Sequence, residues 1–279
     1  MTQHCSPNRG FSLVELMVGM VAGLIVSYAV IAFVMSSIKT NGEYVQSTKL
    51  TQSLRASLDL VVRDLRRAGY DDLAISRTNG GATSAAVGLS PFAKICRTTG
   101  GSNTCITNGS VADCVIYAYD RPSDASGSAS GALDVNNGEV RGIRRVQVQP
   151  TGATDLVGAI EYAISEGSTK PTCGGATAVY TSYPPSKNAT SLWTPLTDSS
   201  TTNIRAFEIT ENSSTAIGSD PGAVRVRNFT VALTARRVGD NATTYLGGVD
   251  TSYKRGIQAS VKVRTDCVQT TITNCNASP

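Results

Sequence analysis

The chain has 279 residues and a formal net charge of +4, from 25 Lys and Arg against 21 Asp and Glu. So mild an excess argues against nucleic acid, which usually needs a clustered basic face. The single histidine is His4, so beyond the first ten residues there is no Ser–His or Cys–His pair for nucleophilic catalysis. The length fits one domain, or one long domain with insertions. A composition poor in aromatic residues and rich in Ser, Thr, Gly and Asn favours strands, turns and polar loops over a dense core.

In chain order, residues 1–10 form a short polar, basic leader that ends in Gly10. From Phe11 to Ile38 the chain is apolar, and Glu15 is the one side chain in that run charged at neutral pH. The run exceeds the roughly 20 residues needed to span a bilayer, so residues 11–38 read as a membrane-spanning helix. A secretory signal peptide is the competing reading. The run is too long for a signal core, Glu15 is out of place in one, and no small-x-small cleavage site follows at a sensible distance. A carboxylate in a spanning segment is costly unless paired, which makes Glu15 a candidate functional residue in need of a partner. Gly19 and Gly23 form a small-xxx-small pair that permits close helix approach, although glycine is also common in spanning helices.

The run Gly10-Phe11-Ser12-Leu13-Val14-Glu15-Leu16-Met17-Val18 resembles the prepilin signature of type IV pilins and type II secretion pseudopilins. The resemblance implies that an inner-membrane prepilin peptidase cuts between Gly10 and Phe11 on the cytoplasmic side. It implies that the new N-terminal Phe11 is methylated, and that Glu15 sits near the α-amino group of a neighbouring subunit during assembly.

Residues 39–69 read as an amphipathic continuation of the helix. Leu50, Leu54, Leu58, Val61, Leu65 and Ala68 recur at spacings of four and three and mark one apolar face. Lys49, Arg55, Asp59, Arg63, Asp64 and Arg66 are assigned to the other face. Arg55, Asp59 and Arg63 are spaced for i,i+4 pairs worth a few tenths of a kcal/mol each. Gly69 is the expected C-terminal stop, and Asn41-Gly42 is expected to loosen or kink the helix. The stretch Leu58-Asp59-Leu60-Val61-Val62-Arg63-Asp64-Leu65-Arg66-Arg67-Ala68-Gly69-Tyr70 resembles the end of the N-terminal helix in PilW-type minor pilins.

Residues 70–279 read as a β-rich globular domain. Residues 71–108 read mostly as loop. Strands are expected at Cys114–Tyr119, Glu139–Val148, Ala159–Ile164, Ile204–Ile209, Val224–Ala235 and Ile257–Val263. An irregularity near Asn228 suggests a bulge. Residues 123–131 read as a flexible Ser/Ala/Gly-rich segment, and residues 170–200, with Trp193, as a long irregular insertion. The sum is α+β: a long N-terminal helix on an antiparallel sheet with long disulfide-stapled loops. The closing segment Ala259-Ser260-Val261-Lys262-Val263-Arg264 is similar to the closing strands of PilW-type minor pilins and of J-type pseudopilins. Residues 71–223 match no motif of those groups, so no function is inherited for them.

Seven cysteines are present, and Cys5 lies in the leader. The others are Cys96, Cys105, Cys114, Cys173, Cys267 and Cys275; an even set beyond a membrane anchor reads as disulfides in an oxidising compartment. Close spacing favours a Cys267–Cys275 pair, and the pairing of Cys96, Cys105, Cys114 and Cys173 stays open. A zinc site is disfavoured because there is no CxxC pair and no histidine beyond the leader. Asp120, Asp124 and Asp134 match no EF-hand spacing and read as turn formers. The Asn-x-Ser/Thr triplets at Asn108, Asn188, Asn212, Asn228 and Asn241 read as chance in a Ser/Thr-rich chain. No cofactor, metal or enzymatic activity is expected.

The resemblance implies a minor pilin that helps prime type IV pilus assembly, sits at or near the filament tip and serves twitching motility. Its implied partners are other minor and major pilins, the prepilin peptidase, the inner-membrane pilus assembly platform and a tip adhesin. The implied location is the inner membrane, with the globular domain in the periplasm, and then the filament at the cell surface. Two alternatives share the anchor: a J-like minor pseudopilin of a type II secretion system, and an adhesive module displayed at the tip through the polar loops at 71–108 and 170–200.

Overall fold

The structure is a computed structural model. It describes residues 12–71, 90–107, 109–121, 132–149, 156–174, 192–217, 224–238, 245–246, 249–250, 255–263, 267–268 and 278–279. The chain divides into two compact units, Met1–Lys49 and Leu50–Pro279.

The first unit is built on helix α1, which spans Leu13–Arg67. Backbone amides within the helix are satisfied along its length, and three side-chain hydroxyls bond back to it. Ser27, Thr40 and Thr48 each donate to the carbonyl four residues earlier, at 2.8, 3.0 and 3.0 Å. Such back-bonding satisfies these three hydroxyls within the helix itself. The helix runs unbroken through Asn41-Gly42. The expected loosening there is not seen, because a single Gly in a long helix lowers its stability without removing a hydrogen bond.

The second unit takes the last stretch of α1. Leu50, Leu54, Leu58, Val61, Leu65 and Ala68 are all buried, as their spacing predicts. Asp64 is buried with them, which corrects its assignment to the solvent face. The helix stops at Arg67, just before Gly69, whose φ of 80° suits a residue without a Cβ. The Gly69 N–H donates to the Ala118 carbonyl at 2.8 Å, tying the helix end to a strand.

That strand belongs to a five-stranded antiparallel meander: β1 (Ile95–Thr98), β2 (Cys114–Ala118), β3 (Val140–Val148), β4 (Val157–Ile164) and β5 (Trp193–Pro195), paired in chain order. A second sheet is made by β6 (Thr202–Ile217) and β7 (Val224–Arg237). Two short hairpin strands follow, β8 (Tyr245–Leu246) and β9 (Val249–Asp250), and pair with each other. The strands β10 (Arg255–Lys262) and β11 (Cys267–Val268) then pair with opposite ends of β7. β1 and β5 fall in segments read as loop and irregular insertion. β1 was hidden by its length of four residues and by Arg97 at its centre, yet all four residues are buried. The irregularity near Asn228 lies on the partner strand: the pairing shifts between Asn212 and Thr215 of β6, opposite Asn228 and Val226.

The main core joins the buried helix face to both sheets through Ile95, Val115, Tyr117, Ile143 and Ile160 on one side and Phe207, Phe229, Val231 and Leu233 on the other. The sheets meet backbone to backbone. Ala112 and Ile209 exchange N–H···O bonds of 3.0 and 2.8 Å. At Gly158 an added Cβ would lie 1.9 Å from the Ile204 carbonyl oxygen, so only glycine fits. The far face of the first sheet carries a smaller core of Phe92, Cys96, Cys114, Ile116, Cys173 and Trp193. The fold is thus α+β and pilin-like: a long apolar N-terminal helix, antiparallel sheets and two disulfides.

Candidate functional site

The apolar part of α1 holds the first candidate. Leu13, Leu16, Met17, Met20, Leu24, Ile25, Ile31, Phe33 and Ile38 are each more than half exposed. The most apolar 18-residue window has a mean hydropathy of 2.4 and no buried residue. Leu13–Ile38 spans about 39 Å at 1.5 Å per residue, enough to cross a hydrocarbon core of about 30 Å. Leaving a large apolar side chain in water forgoes roughly 1.5–3 kcal/mol, so this surface belongs in lipid or against other helices.

Glu15 lies in the first turn of α1. There the positive end of the helix macrodipole favours a carboxylate. Gly19 and Gly23 follow at four-residue steps, which places all three residues within about 80° of arc. A Cβ added at either glycine would meet nothing within 4 Å. The acid and the two small residues therefore share one open helix face. Gly10 and Phe11 lie outside the described residues.

Among the described residues the cysteines form two bridges, Cys96–Cys105 and Cys114–Cys173. Both sit at the smaller core, where Cys96, Cys114 and Cys173 are buried. Cys267 lies on β11, while Cys275 and hence the expected Cys267–Cys275 pair fall outside the described residues.

Buried ion pairs fix the globular unit, and sequence reasoning missed them. Asp64 accepts hydrogen bonds from the Tyr117 and Tyr162 hydroxyls at 3.0 and 3.1 Å. Arg141 Nη1 stands 3.5 Å from the same carboxylate oxygen, and its guanidinium lies 4.6 Å from the centre of the Tyr119 ring. Burial pushes the Tyr117 hydroxyl well above the usual phenol range, and the Asp64 charge pushes it the same way. Tyr162 is raised by the same two causes. Both phenols stay protonated donors.

A second network joins the two sheets. Glu211 takes Arg97 Nη2 at 3.2 Å and Arg227 Nε at 3.0 Å. Burial lowers both arginines and Glu211 opposes that shift. Arg97 also donates to the Ser110 carbonyl, and Arg227 to that of Ala93. A third pair, Arg144 Nε to Glu161 Oε2 at 2.9 Å, lies with the guanidinium 4.1 Å from the Trp193 ring centre. Arg144 Nη1 reaches the Gly174 carbonyl, next to Cys173. The signal for all three was a charged residue inside an apolar strand or helix-face pattern.

Among the described residues no group of three or more His, Cys, Asp or Glu is arranged to hold a metal ion. Asp134 accepts the Asn136 N–H at 2.9 Å, the role of a turn former. Asp124 lies outside the described residues.

Comparison with known families accords with this arrangement. Residues 5–31 match the prokaryotic N-terminal methylation motif. Residues 43–263 match the family described as prepilin peptidase-dependent protein B. The chain belongs to the prepilin peptidase-dependent protein B family. No curated protein and no solved structure matches it. The methylation motif covers Glu15 and the start of α1, and the family match ends at Val263, one residue past β10. The chain is therefore a type IV pilin-like protein of a structural class. Its apolar helix and methylation motif are consistent with membrane anchoring followed by incorporation into a pilus.

Proposed function

We propose that this protein is a minor pilin that helps prime type IV pilus assembly and sits at or near the filament tip. The peptidase cuts between Gly10 and Phe11, and Phe11 is then N-methylated. Residues 11–38 hold the subunit in the inner membrane with the globular unit in the periplasm, until the helix moves into a filament core. The observation that carries the reading is the exposed apolar run of α1 with Glu15 as its one charged side chain.

The chemistry follows from the cost of that charge. A carboxylate in hydrocarbon is expensive alone and largely compensated when it faces an ammonium group. Cleavage creates such a group at Phe11, at the edge of the apolar run. Glu15 of one subunit facing the N-terminus of the next then sets the axial register of packed helices. Gly19 and Gly23 on the same face let the helices approach closely.

The test is Glu15→Leu in the native host. The variant is expected to remain in the membrane and to be lost from sheared filaments and from crosslinks to other pilins. Normal incorporation of the variant would refute the role given to Glu15.

A further inference from the structure

The part of α1 within the globular unit has a second face. Leu50, Leu54, Leu58, Val61 and Leu65 are buried. On the opposite side Gln52, Arg55, Asp59, Arg63 and Arg66 are exposed. At 100° per residue these five fall within about 80° of arc and form one stripe roughly 20 Å long.

The stripe carries three arginines and one aspartate. Among the described residues neither Arg55, Arg63 nor Arg66 makes an ion pair, not even with Asp59 at i,i+4. The helix macrodipole favours cations only in the last turn, which accounts for Arg66 and leaves Arg55 and Arg63 unexplained. Arginine also presents a rigid fork that matches carboxylates and phosphates two bonds at a time, unlike the point charge of lysine. The stripe thus sets three arginine forks against the single carboxylate of Asp59, an excess of two positive charges.

A second copy of this chain offers no matching surface among the described residues. Its exposed acids stand singly: Glu15, Glu43 and Asp59 on α1, Glu166 and Asp198 at turns, and Glu208 on β6. We infer that Arg55, Arg63 and Arg66 dock an acidic face of a different pilin subunit. Arg55 and Arg63 are about 12 Å apart along the axis. A partner helix with acids seven or eight residues apart has that spacing. The inference rests on the reading that this protein assembles with other pilins, and it names the surface and the charge of one such partner.

A photo-crosslinking residue placed at Gln52 of the full chain, in the native host, tests it. The expected adduct is with another pilin-family subunit, at a segment rich in Asp and Glu. The adduct should disappear in Arg55→Glu/Arg63→Glu/Arg66→Glu and return when the crosslinked acids of the partner are changed to Lys. Formation of Cys96–Cys105 and Cys114–Cys173, seen on non-reducing gels, reports that the variant has folded. Asp59→Arg makes the stripe more basic and should strengthen the adduct, so the two variants must move in opposite directions. An adduct indifferent to both, or one formed only with lipid, nucleic acid or a second copy of this chain, overturns the inference. If Glu15→Leu abolishes incorporation while the charge variants leave the adduct unchanged, the assembly role stands and this docking surface falls.

Discussion

Asp64 of α1 and Tyr117 of β2 meet in the interior through a 3.0 Å hydrogen bond, with Tyr162 on the same carboxylate oxygen. One helix carboxylate thus gathers donors from β2 and β4, and Arg141 brings in β3. Breaking a buried pair by removing one partner typically costs about 3–5 kcal/mol. Asp64→Ala should lower the stability of the globular unit by about that much, because Arg141 is left uncompensated. Tyr117→Phe should cost about 1.5–3 kcal/mol, the range for a hydrogen bond to a charged group. Urea unfolding of both variants measures the difference.

The same two tyrosines predict an alkaline limit. Their folded pKa values are raised above the ordinary phenol value of about 10. Above that pH the folded state holds more protons than the unfolded one, so stability falls as pH rises. Their contribution is complete below about pH 10 and is lost as pH climbs towards the folded values. Thermal melts from pH 8 upward should show this fall, and Tyr117→Phe/Tyr162→Phe should flatten it. An unchanged slope in the double variant would contradict the assignment.

The inter-sheet triad of Arg97, Glu211 and Arg227 behaves differently under two kinds of substitution. Glu211→Ala leaves Arg97 and Arg227 buried without their carboxylate and should cost about 3–5 kcal/mol or more. Replacing Arg97, Glu211 and Arg227 together with apolar residues of similar volume should cost far less, since that also removes the desolvation penalty. Chemical denaturation of the single and triple variants compares the two.

How much of this was legible in the chain depends on residue type. The buried helix face was visible because Leu50, Leu54, Leu58, Val61, Leu65 and Ala68 are apolar and correctly spaced. Asp64 lies three residues after Val61 and four before Ala68, so its spacing also put it inside. Its charge hid that, because a buried acid is recognised by partners that arrive from distant strands. Arg97 hid β1 in the same way, and its partner Glu211 lies 114 residues away in sequence. The N-terminal methylation motif was legible because its residues are contiguous in the sequence. Cysteine pairing depends on which strands are neighbours, so Cys114–Cys173 became visible only with the sheet.

The two described disulfides should differ in weight. Their sequence separations are 9 for Cys96–Cys105 and 59 for Cys114–Cys173. On the loop-entropy model these correspond to roughly 2.6 and roughly 4.3 kcal/mol of stabilisation. Cys114→Ala/Cys173→Ala should therefore lower the melting temperature more than Cys96→Ala/Cys105→Ala, as calorimetry would show.

Deletion of the gene separates the pilus from the secretion machine. A minor pilin that primes assembly predicts loss of surface pili and twitching, with exoprotein release intact. Loss of exoprotein release with normal piliation would assign the protein to a secretion pseudopilus instead.

The most direct test of the central claim is mass spectrometry of the N-terminus of the protein recovered from sheared filaments. The expected product is a chain that begins at Phe11 and carries one methyl group on its α-amine. An intact Met1 in assembled material, or a first residue other than Phe11, would contradict it.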